Sequence, residues 1–294
     1  MSDFNIGIIT FNRANMLKKN LTKLSKYQKF INKIIVVNNG SPDNTKDILK
    51  SFSKNSKFKI INLNKNYGVV TKNVVFKKSN SKYLIFIDDD AIIQNISKVF
   101  SEIKNSFDKN KKLALINFKI IDNKKKKVIK REFPQRYNKK NLNKELNISY
   151  FIGAGVVFKK EIYKKFSYIN FFYTQEEIEM SYRIINKNYV MEYNPKLVVH
   201  HYRDPKGRLS NNQVIFNNFF HKMILNYKYI PSPISNISNL LWFIKTWLDS
   251  RSLKLPILAI KKINSLQKQK KLKQKKLSYK SLLYIFSTNG RLFY

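Results

Sequence analysis

The chain of 294 residues is 43% apolar and carries 58 Lys and Arg against 18 acids, a formal net charge of +40. That length accommodates one large domain or a catalytic domain with an appendage, and the absence of cysteine excludes disulfides, thiolate nucleophiles and Cys-ligated zinc while fitting a reducing compartment. The charge favours polyanionic partners (nucleic acid, anionic lipid or sugar nucleotides), although Lys, Asn and Ile are all abundant, as AT-rich codons alone would make them.

MSDFNIGIITFN opens the chain without a charged region leading into an apolar core, and no run of 18 apolar residues occurs, so a cytoplasmic protein without a membrane span is expected. Short apolar runs then alternate with amphipathic segments. NIGIIT precedes a helix over residues 13–30, KIIVVN one from Thr45, FKIINL one over 70–78, and YLIFID closes the series. The rhythm is βαβ, which implies a mostly parallel sheet with ligands at the carboxyl ends of its strands. Polar clusters sit at those ends: TFNR, NNGSPDNT, NKNYG and Asp88 to Asp90. In NNGSPDNT, Gly40 and Pro42 suit a turn and Asp43 can cap the next helix, so turn chemistry and ligand binding both account for it.

Further on, KKKK at 124–127 reads as a hairpin turn or solvated loop, and FIGAGVVF as a strand broken by Gly153 and Gly155, where a ligand or another backbone can approach closely. YTQEEIEMSYRIIN predicts a helix with Glu176 and Glu177 in its first turn and Ile178, Tyr182 and Ile185 buried; a strand ending in VVHHYR follows. Beyond residue 210 the pattern is helical and basic, with PSP at 231–233 as a break and eight Lys within 261–276. In ISNLLWFIKTWLDS, Leu240, Leu241, Trp242, Phe243, Ile244, Trp247 and Leu248 suit either packing on the catalytic part or lying in a bilayer interface.

Three adjacent carboxylates repel one another unless a cation intervenes, and Mg²⁺ or Mn²⁺ prefers such oxygen ligands. Asp-x-Asp spacing sends Asp88 and Asp90 in related directions and Asp89 elsewhere; the competing role for Asp90 is a helix N-cap. His200 and His201 end a strand, and alternation sends their rings to opposite faces, so at most one can join the same ion. Glu176 and Glu177 are either partners of a helix dipole or, beside such a site, a general base for a hydroxyl. No Walker loop, HExxH or GxSxG is present.

The ordered set TFNR, VVNNGSPDNT, NKNYG, FIDDDA, FIGAGVVFKKE, QEEIEM and NPKLVVHH, over about residues 4–203, resembles the family-two inverting glycosyltransferases of the GT-A fold, bacterial rhamnosyltransferase-like members in particular. The resemblance implies an α/β Rossmann-like sheet flanked by helices. A catalytic domain would span 1–210, with a nucleotide-sugar half (about 1–120) and an acceptor half (about 120–210), before a helical basic module at 211–294. It also implies a nucleotide-diphospho-sugar donor (a UDP- or dTDP-sugar), a Mn²⁺ or Mg²⁺ ion and a glycan or lipid-linked acceptor. On this reading Thr10, Asn12, Arg13, Asn38, Asp43, Asn66, Gly68, Asp88 and Asp89 bind the donor, and Asn38 stands where the family's base-reading acid is usual. Asp88 and Asp90 hold the metal with His201, or with His200 as the fallback. Gly153, Ala154 and Gly155 line the acceptor side. Glu176 and Glu177 are the catalytic pair, with the base at Glu177, one methylene longer than the family's Asp. Between Gly68 and Asn73 the chain is a residue shorter than the common pattern, and Lys72 stands where Arg is frequent. The expected function is therefore a metal-dependent inverting glycosyltransferase acting on a bacterial surface glycan or its lipid-linked precursor, held by residues 231–294 at an anionic membrane surface on the inner face of the plasma membrane. The alternatives are a nucleic-acid-binding protein, suggested by the charge but without a recognisable module, and a metal-dependent nucleotidyltransferase, which would consume a nucleoside triphosphate.

Overall fold

The alternating pattern is realised as a mixed α/β architecture in the computed structural model, which describes residues 2–293; the outermost residues of the two expected domains, 1 and 294, lie outside it. The first part runs β1 (Phe4–Thr10), α1 (Ala14–Ser25), β2 (Lys33–Asn38), α2 (Thr45–Ser53), β3 (Phe58–Asn62), α3 (Lys72–Lys78) and β4 (Tyr83–Ile87). Leu17, Leu21 and Leu24 recur at helical spacing and are all buried, so α1 covers one face of the sheet. It ends earlier than expected: the amides of Tyr27 and Phe30 bond to carbonyls three residues back, tightening the chain into a short turn at Gln28–Phe30.

The second part adds β5 (Ala91–Ile93), α4 (Ile96–Lys109), β6 (Leu113–Asp122), β7 (Leu146–Ile148), β8 (Gly155–Lys159), α5 (Lys160–Lys165), α6 (Glu176–Ile185) and β9 (Val190–His201). These strands form one sheet in the order β3-β2-β1-β4-β8-β6-β9-β5, with β7 also on β9. β1 to β4 are mutually parallel, as βα alternation requires, and so are β6 and β9. β8 runs antiparallel between β4 and β6, and β5 and β7 are antiparallel to β9. The register sets Thr10, Asn38 and Asn62 side by side, which aligns the strand ends into one rim.

Two local features depart from the expected pattern. The strand anticipated over FIGAGVVF begins only at Gly155, because the buried side chain of Asn117 takes over the bonding of residues 152–155: its amide donates to Ile152 O at 3.1 Å and Gly155 O at 2.6 Å, and its oxygen accepts from Ile152 N at 3.0 Å. Asp90 is not a helix cap, since β5 follows it directly and pairs with β9. The KKKK segment is the expected turn, closed by Asp122 N to Lys127 O at 3.0 Å.

Beyond Ser210, whose side chain and Gln213 form a capping box, come α7 (Asn211–Tyr229), α8 (Ile234–Ser250), α9 (Lys254–Lys268) and α10 (Tyr279–Ser287). Phe219, Leu225, Ala259, Ile263, Ile285 and Leu292 belong to the same apolar cluster as Phe158, Met180 and Tyr193, so these helices share a core with the acceptor-side strands. Residues 271–278 are laid along α7, with Lys275 N and Leu277 N bonded to Lys228 O and Tyr229 O. No helix among the described residues is long and apolar enough to cross a membrane.

Candidate active site

The strand ends open into a cavity of about 470 Å³. On one wall, at the end of β4, the backbone of Asp88 to Asp90 is gripped by Asn20 of α1, whose amide donates to Ala91 O at 2.9 Å and Asp88 O at 3.4 Å. The three carboxylates then part. Asp89 turns inward, accepting from Thr10 Oγ1 at 2.8 Å and Arg13 Nη1 at 2.8 Å; burial pushes it up to about 6 against the pull of Arg13.

Asp88 and Asp90 converge with His201, and their ligating atoms all lie within 4.8 Å of one another. Asp90 Oδ2 accepts from Asp204 N at 2.9 Å, whereas its buried Oδ1 receives no hydrogen bond and faces His201 Nε2 at 3.2 Å. His201 Nδ1 meets Glu132 Oε1 at 3.0 Å. If Nδ1 carries the proton to Glu132, two lone pairs confront each other across the Nε2–Oδ1 gap, and a cation is needed between them. In the bare protein a proton serves: burial disfavours the imidazolium, but Asp90 and Glu132 more than offset it and raise His201 to about 10. A carboxylate–imidazole–carboxylate set whose buried Asp90 Oδ1 faces only the His201 ring therefore fits a divalent cation. The β-strand alternation expected of the histidine pair separates them: His200 faces away, its Nε2 3.3 Å from Gln94 Oε1, and takes no part in this set.

On the opposite wall the first turn of α6 presents the two glutamates. Glu177 retains 23% side-chain exposure while Glu176 is buried, with its Oε2 unpartnered; burial, then the neighbouring Glu177, pushes Glu176 up to about 8 despite Lys72. Lys72, itself buried, reaches Glu177 Oε1 at 3.4 Å and Glu176 Oε1 at 3.8 Å; burial opposes its charge, but Tyr168 and the two glutamates outweigh that and hold it protonated. Gly153 makes room for this contact, since a Cβ there would stand 2.8 Å from Glu177 Oε1 and 2.9 Å from Lys72 Nζ.

Arg13, Asn66, Gly68, Asp88, Asp89, Asp90, Gly153, Ala154, Glu176, Glu177 and His201 all line the cavity. Other expected residues do not. Thr10 is buried against Asp89; Asn38 donates to Asn62 Oδ1 at 3.0 Å and accepts from Ser41 N at 3.0 Å; Asp43 ties the amides of Ala14 and Thr45 together. Asn12 sits in a left-handed turn with its amide on Ser41 Oγ, and Gly155 packs in the sheet, where a Cβ would meet Val199 at 2.9 Å. These five shape the rim rather than face into it. Arg13 is largely engaged by the protein, donating to Lys206 O at 2.8 Å and Asp204 O at 3.1 Å as well as to Asp89.

Several cavity residues escaped the sequence reading. Asn39, next to the expected Asn38, lines the wall and holds the β3–α3 loop by bonds to Asn66, Tyr67, Gly68 and Thr71. Glu132, Arg203 and Arg291 arrive from distant segments, Arg291 with its guanidinium 4.4 Å from the centre of the Tyr150 ring. The doubled NN was a signal for Asn39; nothing local marked the others.

The sequence pattern described as Glycosyl transferase family 2 matches residues 5–167. Among curated proteins, the chain is 24% identical over 193 residues to a poly-beta-1,6-N-acetyl-D-glucosamine synthase of Staphylococcus epidermidis, covering 63% of this chain and 46% of that one. The chain thus spans about half the length of that relative. Solved structures share its fold, GT-A. GalNAc-T7 with UDP, GalNAc and Mn²⁺ superposes with TM-score 0.59 at 14% identity, over 81% of this chain and 50% of that one. The mannosyltransferase PcManGT of Pyrobaculum calidifontis, with GDP-Man and Mn²⁺, gives 0.57 at 12% identity, over 90% and 75%.

Proposed function

The chain belongs to glycosyl transferase family 2, and on that premise we propose that it moves a sugar from a nucleotide-diphospho-sugar to an acceptor hydroxyl by a single displacement that inverts the anomeric centre. The observation that carries this reading is the pairing, across one cavity, of the Asp88–Asp90–His201 set with the solvent-reachable Glu177.

A divalent cation held by Asp88, Asp90 and His201 would neutralise the departing diphosphate. The chain's own residues do the rest. Glu132 orients the His201 ring, Arg13 and Thr10 fix Asp89 and with it the acidic turn, and the Asp204 amide pins Asp90. Glu177 takes the proton from the acceptor hydroxyl as the oxygen attacks, and Lys72 holds that carboxylate in place. Burial, and next the neighbouring Glu177, keep Glu176 neutral near pH 7.

The acceptor is read as a bacterial surface glycan or its lipid-linked precursor, supported by the polysaccharide synthase among the relatives. The donor is read as a UDP- or dTDP-sugar. Purified chain with Mn²⁺, offered a panel of sugar nucleotides, is expected to release nucleoside diphosphate from one of them, to stop with a chelator and to resume with Mn²⁺ or Mg²⁺. Release of pyrophosphate from a nucleoside triphosphate, with no sugar nucleotide consumed, would replace this reading by nucleotidyl transfer.

A further inference from the structure

Fifteen large apolar side chains stand exposed among the described residues, and twelve of them lie between Ile237 and Phe286. The other three, Tyr67, Phe172 and Tyr173, belong to the cavity and the loop beside it. On α8 the exposed set is Ile237, Leu240, Leu241, Ile244, Trp247 and Leu248, the i, i+3, i+4, i+7 spacing of one helix face, with Leu240 at 60% and Leu248 at 63% exposure. The opposite face is engaged: Ser238 and Thr246 are buried, and Trp242 and Phe243 pack on the core. The helix is therefore held to the protein along one side and bare along the other, which matches a segment lying flat in an interface rather than crossing it.

The neighbouring α9, which packs on α8, also carries exposed apolar residues, and there lysines join them. Leu253, Ile257 and Leu258 are exposed, and Lys254, Lys261 and Lys268, seven residues apart, fall on the same side as Ile257 and Leu258. Residues 231–294 hold thirteen Lys and Arg and a single acid, Asp249, whose carboxylate is paired with Lys245. A second copy of this chain would meet like charge across such a face, whereas an anionic lipid surface would meet apolar side chains and ammonium groups together. We propose that the outer faces of α8 and α9 form a docking surface for an anionic membrane leaflet, with the apolar residues entering the headgroup boundary and Lys254, Lys261 and Lys268 meeting lipid phosphates. Binding is independent of glycosyl transfer. Its geometric consequence is that the cavity lies in the bound molecule, because α7, which packs on α8, and Arg291, from the same module, both contribute to the cavity wall.

The chain contains two tryptophans, Trp242 and Trp247, and both lie on α8, so tryptophan fluorescence, excited beyond the absorption of the 17 tyrosines, reports on this helix alone. With full-length protein at low salt, phosphatidylglycerol-rich vesicles are expected to carry the chain upward on flotation, to shift its emission to the blue and, when the lipids are brominated, to quench it; pure phosphatidylcholine vesicles should do none of these. Combined Lys254→Gln, Lys261→Gln and Lys268→Gln should weaken anionic-vesicle binding about tenfold and flatten its salt dependence. Combined Leu240→Gln, Ile244→Gln and Leu248→Gln, which keep both tryptophans, should abolish the blue shift. Circular dichroism and the melting temperature establish that the variants are folded, and the brominated-lipid measurement on the unaltered chain needs no variant. The proposal is overturned if the unaltered chain fails to float with anionic vesicles or floats without quenching. It is equally overturned if both combined variants bind as the parent does, or if the parent is a dimer that the apolar variant converts to monomer.

Discussion

At the strand ends Asp89, Asp90, Glu132, Glu176 and Lys72 are ionisable groups taken out of water; on α8 and α9 Leu240, Ile244, Leu248 and Ile257 are apolar groups left in it. Both regions invert the usual partition, and the inversions are handled differently. Inside, nearly every charge has a partner: Asp89 has Arg13 and Thr10, His201 has Glu132, and Lys72 has both glutamates, which is what burying a charge demands. The exceptions, Asp90 Oδ1 and Glu176 Oε2, are buried without a hydrogen bond on residues that line the cavity. Outside, among the described residues nothing covers the apolar face.

The comparison can be broken first at its most demanding point. Asp90→Ala removes the buried ligand and the carboxylate that faces His201 Nε2; transfer should fall below detection, measured as nucleoside diphosphate released, and Mn²⁺ should no longer raise the melting temperature. Glu177→Gln is next. It keeps the shape of the α6 turn and removes the proton acceptor, so transfer should drop about 10²- to 10⁴-fold while calorimetry shows donor binding unchanged. Normal turnover in that variant would remove the base assignment.

A matched pair sharpens the contrast between the two regions. Leu225→Ala, in the core beneath α7, should cost about 2–5 kcal/mol in urea unfolding, whereas Leu240→Ala on the bare face should stay within about 0.5 kcal/mol. A large loss for Leu240 would mean that the face is covered after all. The last effect depends on pH and concerns Glu176. Its carboxyl is raised from the usual 4.5 to about 8, so it stays neutral in the folded protein after the unfolded chain has ionised. Its contribution to stability is thus full below about pH 4.5 and is lost as pH rises through about 8. Glu176→Gln should abolish that loss, raising the melting temperature by roughly 2–8 °C near pH 8 and by little near pH 4.5. A pH-independent difference would show that burial of Glu176 is not the cause.

Much of this molecule is legible in its sequence, because the signals are local. Short apolar runs located β1 to β4 and β9, and amphipathic periodicity α2 and α6; the Asp-x-Asp spacing separated Asp89 from its neighbours; and strand alternation required that His200 and His201 face apart. The apolar run of α8 was visible too, but not which side of it would remain bare. Other features depended on closure of the whole chain. Glu132 meets His201 across 69 residues, Lys72 meets Glu177 across 105, and Arg291 reaches the cavity because its backbone carbonyl is held by Lys222 and Tyr182. No periodicity encodes such partners: a charged residue reads the same in sequence whether it ends in solvent or against an opposite charge. What sequence determined here is each segment's form and the direction in which its side chains leave the backbone. Which groups those side chains meet was decided only when the two sheet faces packed and burial obliged every enclosed charge to find a neighbour.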